Sequence, residues 1–100
     1  MLHGVYGMNV KMAPKPLTSA QIRAARALIR WSAEDLARET FLGVTTIRRA
    51  ELRASETSLT SANDRAIRRT LEAAGVEFID ENGSGPGVRL RKPHEQKKTD

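Results

Sequence analysis

Residues 32–51 read SAEDLARETFLGVTTIRRAE, and their spacing predicts two short helices joined by a tight turn. Ser32 is an N-cap residue, and Asp35 follows at the third helical position. That is a capping box, in which each side chain satisfies the other residue's backbone N–H. Trp31 stands just before the cap, where it can staple onto Leu36 and plug the space between helices. The first of the two helices is therefore expected from Ala33 to Glu39 or Thr40, and the next after Gly43. Leu36 and Ala37 lie mid-way along the first, Leu42 in the turn and Ile47 in the second. Ala37 is small enough to let the two helices cross closely. With Ile47 and Ala50 facing inward, Val44, Thr45, Arg48 and Arg49 are expected to project outward together.

Working outward from this segment, order is expected to begin at Leu17. Thr18 and Gln21 form a second capping box, Leu17 can staple to Ile22, and a helix follows from about Ser19 to Arg30. Ile22, Ala25 and Ile29 make its apolar stripe, while Arg23, Arg26 and Arg30 line a face read as solvated surface. Residues 1–16 have no period and end in two prolines, so they are read as a flexible N-terminal arm. Glu51 to Leu59 is a polar connection with room for one helical turn. Thr60 then caps a last helix in which Ile67, Leu71 and Ala74 recur at i, i+4 and i+7, with Arg65, Arg68 and Arg69 outside. Gly75 suits the left-handed position after its end.

Beyond Gly75 the period switches to alternation. Val76 and Phe78, with Asp80 as a further candidate, match Val88 and Leu90 across the Gly/Pro-rich turn Glu81 to Gly87, which reads as a β-hairpin. A lone hairpin is marginal in water, so it must pack on the helices or pair with a strand of a second subunit. The expected organisation is thus a flexible arm (1–16), a helical domain (17–75), a hairpin that is a candidate dimerisation element (76–91) and a disordered tail (92–100).

Composition narrows the partner. The chain of 100 residues carries 17 Lys+Arg against 12 Asp+Glu, a net charge of +5, and 12 of those bases are arginine. Such a balance suits a polyanion, either nucleic acid or an anionic membrane. There is no cysteine, which excludes disulfides, thiol catalysis and zinc-finger ligation. No apolar run approaches the roughly 20 residues of a membrane span. The opening MLHGVYGMNVKM lacks the apolar core of a secretory signal, so a cytoplasmic address is expected. His3 and His94 have no ligand neighbours at metal-binding spacing, and no serine sits in a nucleophile elbow. Neither cofactor nor catalysis is expected.

A short helix with paired arginines and small side chains on its exposed N-terminal half has the shape and chemistry to enter a major groove. In this respect residues 18–80 resemble the phage repressor and Cro (XRE-type) helix-turn-helix family, most closely over Ser32 to Glu51. The matching positions are Ser32, Leu36-Ala37, Thr46-Ile47 and Glu51. The later segment Ile67 to Ile79, which contains Leu71-Glu72-Ala73-Ala74-Gly75-Val76-Glu77-Phe78, also resembles small regulators. The resemblance implies a mainly α fold, a four- to five-helix repressor-like helix-turn-helix bundle with a C-terminal β-hairpin. It implies that the helix over about 44–52 is the recognition helix and that Val44, Thr45 and Arg49 contact bases. Arg48 becomes a neighbouring backbone or base contact, and Ser32 and Ala33 lie at phosphate. Arg53, just past the helix, is a further candidate for phosphate. The chain departs from the family at Phe41, where the turn commonly has glycine, so Gly43 is expected to take up the bend. Ala33 also replaces a commonly polar residue.

The resulting expectation is a transcriptional regulator that binds double-stranded DNA as a homodimer, without a membrane or cofactor. Two other readings compete with it. One is a protein-interaction module, such as an antiactivator, that uses Phe41 and Leu42 exposed at the turn. The other is an antitoxin that binds DNA and a protein partner. For Arg48 and Arg49 the competing reading is solvent exposure, with Arg48 paired to Glu51 at i, i+3.

Overall fold

A computed structural model describes residues 15–52, 57 and 59–92. The greater part of the expected arm, all but Lys15 and Pro16, and the tail from Pro93 lie outside the described residues, as do Arg53, the start of the connection after it, and both histidines. The described residues form four α-helices, α1 (Ser19–Ile29), α2 (Ala33–Thr40), α3 (Val44–Leu52) and α4 (Ser61–Ala73), followed by strands β1 (Val76–Ile79) and β2 (Gly87–Leu90). No helix among them is long and apolar enough to cross a membrane.

Local chemistry accounts for where the helices start. Thr18 and Gln21 form the expected capping box on α1, and Ser32 and Asp35 form the one on α2. Thr60 caps α4 by accepting from the backbone N–H of Asn63. The stops are less regular. α1 ends one residue earlier than expected because Arg30 is its C-cap in the left-handed conformation, with φ 59°. α2 ends the same way at Phe41, with φ 62°. Gly75, after α4, has φ +108°, as a glycine at that position should.

Gly43 does not take up the bend. It has no positive φ, and its carbonyl starts α3 by accepting from the N–H groups of Thr46 and Ile47. The left-handed residue is Phe41 itself, because its N–H must turn back onto Ala37 and Arg38 to close the last turn of α2. Its side chain is 93% exposed. Leu42, by contrast, is half-buried against the core rather than exposed with it.

One core joins the four helices and β1: Leu17, Ile22 and Ala25 from the first helix and its lead-in, Leu36 and Ala37 from α2, Ile47 and Ala50 from α3, Ile67 and Leu71 from α4, and Val76 from β1, with Val88 of β2 packed against it. Each large aliphatic buried there contributes about 1.5–3 kcal/mol. Ala25, Ala37 and Ala50 are the small members, and the Ser19 hydroxyl donates to the Ala50 carbonyl where α1 meets α3. Trp31 packs half-buried at the edge of the core, as a plug between helices would.

The strands pair antiparallel, Val76 with Leu90 and Phe78 with Val88, and the Arg91 N–H extends the ladder to the Gly75 carbonyl at 2.7 Å. β1 stops at Ile79, so Asp80 is exposed and outside the ladder. The hairpin packs on the helices of its own chain. Gln21 of α1 is buried and donates through Nε2 to the carbonyls of Ile79 (3.1 Å) and Gly87 (3.0 Å). Arg68, expected on the outside of α4, instead lies over the Phe78 ring at 5.3 Å and donates to the Lys15 carbonyl. A cation over an aromatic face covers apolar surface with its stem while satisfying its charge.

Candidate nucleic-acid interface

α3 is held by its inner face and offers its outer one. Ile47 and Ala50 are buried, while Thr45, Arg48 and Arg49 are exposed. Thr46 is half-buried between the two faces. Val44 does not project with the others. It is half-buried and packs against the core, because it is the first helical residue and the chain enters from the turn beneath it.

Glu51 braces the C-terminal end of α3 as well. Its carboxylate accepts from Arg26 of α1 through two hydrogen bonds, Nε to Oε2 and Nη2 to Oε1, each 2.8 Å. Arg26 also donates through Nη1 to the Trp31 carbonyl at 2.8 Å, and Arg23 donates to the Glu51 carbonyl. Two of the three arginines read as solvated surface on α1 are therefore braces. Their hydrogen bonds fall on the C-terminal end of α3, where cations are also favoured by the helix dipole. The hydrogen bonds to Glu51 hold the Arg26 guanidinium above its ordinary pKa, against the opposing effect of burial.

Because Glu51 is taken, the Arg48–Glu51 pair of the competing reading does not form. Arg48 reaches across to α2 and donates through Nη2 to Glu34 Oε2. This contact lies between the first turn of α2 and the outer face of α3. Ser32 is exposed at the N-cap there, and Ala33 is half-buried behind it. Ser32 Oγ accepts from the Asp35 N–H, and its hydroxyl lies within reach of the Glu34 and Asp35 carboxylates. The same turn carries Glu34 and Asp35, so it is acidic where a phosphate contact was expected. Asp35 is compensated by Arg38 at 2.6 Å and Glu34 by Arg48. Arg49 is left with no ion-pair partner among the described residues.

The carboxyls of this turn are held below their ordinary values. The hydrogen bond from Arg48, followed by its own backbone N–H, holds Glu34 below its ordinary value. Asp35 is lowered chiefly by the Ser32 N–H and then by Arg38. The face is thus a mixed one, with three arginines, two acids, the Thr45 hydroxyl and the Ser32 hydroxyl. On such a surface the side chains of Arg49 and Thr45 are exposed donors that phosphate or base edges can accept from.

Of the residues singled out from the sequence, Ser32, Ala33, Thr45, Arg48 and Arg49 come together on one side of the molecule. Val44 belongs half to the core, and Arg53 lies outside the described residues. Glu34 and Arg26 are what the sequence reading missed as parts of the site. No local spacing links either of them to its partner, since Arg26 and Glu51 are 25 residues apart and Glu34 and Arg48 are 14 apart. Against known proteins, no family model matches the chain, and no curated protein does either.

Proposed function

We propose that this protein is a sequence-specific double-stranded-DNA-binding regulator of the repressor-like helix-turn-helix type, with α3 as the helix that enters the major groove. The observation that carries the reading is the pairing of a bidentate brace under α3, Arg26 on Glu51, with an outer face that presents Thr45, Arg48 and Arg49. A helix fixed from behind and cationic in front can dock without first being ordered. Arg49 is the base reader, with a bidentate guanine contact contributing about 1–3 kcal/mol of discrimination. Thr45 packs on or donates to the neighbouring base, and Ser32 donates to phosphate. One short helix reads few base pairs, so the protein works as a homodimer on two half-sites. Leu90, half exposed on the hairpin, supports a dimer made through that element. Cytoplasmic action without a cofactor or catalysis belongs to the same reading.

A gel shift on duplexes selected from a random-sequence pool, run across a salt series, tests it. The account expects retarded complexes whose affinity falls with salt, and at least a tenfold loss for the double variant Arg48→Ala, Arg49→Ala. Selection of no duplex at low ionic strength contradicts it.

A second reading has its own observation. Phe41 is bulky, exposed and held at a left-handed backbone position, as a residue kept for contact with a protein partner can be. Under that reading the protein is an interaction module such as an antiactivator. Retention of partner binding in the double arginine variant, with loss in Phe41→Ala, identifies it.

A further inference from the structure

Glu34 stands beside a residue of the proposed reading face, and the fold does not need it there. Its carboxylate ties the first turn of α2 to the middle of α3 through Arg48, yet Arg48 and Glu34 remain 54% and 57% exposed. An ion pair so open to water adds little to stability. Nor does α2 need a second acid at its N-terminus, because Ser32 and Asp35 already complete the capping box. The lasting effect of Glu34 is electrostatic. It fixes an anion on the very face offered to a polyanion and attaches it to one of the two arginines of α3.

We propose that Glu34 is a positioning residue that sets specificity, holding Arg48 back from indiscriminate phosphate contact and aiming its remaining N–H groups at a base edge. The proposal rests on the reading of α3 as the duplex-binding helix. Binding to any duplex is driven by cations on phosphate, and its strength grows with each phosphate neutralised. Glu34 cancels the charge of Arg48 and repels phosphate itself, so it lowers affinity for all duplexes alike. A guanidinium carries five N–H donors in a rigid fork, and the contact with Glu34 uses the Nη2 end. Nothing among the described residues accepts from the Nε and Nη1 donors, which the contact biases toward one direction. At the right sequence a base supplies acceptors along that direction, and an arginine already oriented loses less rotamer freedom on docking. Discrimination therefore rises while total affinity falls, as a repulsive element in an interface makes it do.

The test compares wild type, Glu34→Gln, Arg48→Ala and the double variant on two probes, a duplex selected by wild type and a scrambled duplex of the same composition. Dissociation constants come from fluorescence anisotropy across a salt series. Glu34→Gln is expected to bind the scrambled duplex about three- to tenfold tighter, with the slope of log K against log salt steeper by about one. The selected duplex gains less, so the ratio of the two affinities falls. In the Arg48→Ala background the same change shifts both duplexes equally, because no guanidinium remains to be aimed. A merely structural Glu34 would move the melting temperature and leave ratio and slope alone. If wild type selects duplexes but Glu34→Gln keeps both ratio and slope, the role of Glu34 is overturned and the reading of α3 stands. Wild type that selects no duplex overturns that reading, and the role of Glu34 with it.

Discussion

Arg26 of α1 and Glu51 of α3 face each other as a planar fork on a planar carboxylate, with both hydrogen bonds at 2.8 Å and side chains only 21% and 9% exposed. Such a pair ties the end of one helix to the side of another in direction as well as distance. Removing one partner strands the other charge in a poorly hydrated place. Arg26→Ala is expected to destabilise the fold by about 1–3 kcal/mol, less than a fully buried pair would. Arg26→Lys should recover only part, because an ammonium cannot reproduce the fork. Urea denaturation followed by circular dichroism checks both, and a loss under about 0.3 kcal/mol for Arg26→Ala would refute the brace.

Phe41 has φ 62° with its ring almost wholly in water. A residue with a Cβ in that conformation costs about 1–2 kcal/mol, and no burial of the ring offsets it. Phe41→Gly should therefore raise stability by about 0.5–1 kcal/mol, after allowing for the extra freedom glycine gives the unfolded chain. Gly43→Ala should be close to neutral, since Gly43 has no positive φ and an added Cβ meets nothing within 4 Å. Thermal melts of the two variants decide the point. Destabilisation by Phe41→Gly together with damage from Gly43→Ala would restore the bend to Gly43.

These two cases mark where reading the sequence succeeds and where it stops. The capping boxes at Thr18 and Ser32 depend on residues three apart, so their chemistry is complete within one helical turn and visible in the sequence. The register of Val76 with Leu90 and Phe78 with Val88 follows from alternation on either side of a glycine-rich turn. The inward positions Ile47 and Ala50 follow from helical period alone. The partners of Arg26 and Arg48 do not, because they depend on the angle at which α1, α2 and α3 cross. Arg48 had an acid at i+3 in Glu51, and that acid was claimed from another helix. Phe41 misled for a different reason. Steric preference argued for moving the bend to a glycine, and closure of the last turn of α2 overrode it.

Gln21 links the first helix to the last element of the fold. Its Nε2 donates to the carbonyls of Ile79 and Gly87, while its Oε1 accepts from the Thr18 N–H at 2.9 Å. Gln21→Leu keeps the volume but removes the donor from two carbonyls and the acceptor from the helix cap. A loss of about 1–3 kcal/mol is expected. Faster amide exchange should be confined to β1, β2 and the start of α1, which hydrogen-exchange mass spectrometry would show. Uniform acceleration through α3 and α4 would mean that the hairpin is not a separable element.

Acid should weaken the fold through Asp35 and Glu77, whose carboxyls are held below the ordinary values of 3.8 and 4.5. For Glu77 the cause is Arg89, its cross-strand partner at 3.0 Å. A carboxyl with a lowered folded value binds its proton more readily when unfolded. Its contribution is therefore complete above about pH 5 and is lost as pH falls through the folded values. Stability measured by denaturant titration should be flat from pH 5 to 7 and decline below that range. The decline should shrink in Glu77→Gln, and an unchanged profile in that variant would contradict the assignment.

Contact between the outer face of α3 and a duplex is open to amide chemical-shift mapping. Titration of the 15N-labelled protein with a selected duplex should move the signals of Thr45, Thr46, Arg48 and Arg49, with Ser32 beside them, and leave β1 and the buried side of α4 in place. Shifts centred on Phe41 or on the hairpin, with the α3 signals unmoved, would contradict it.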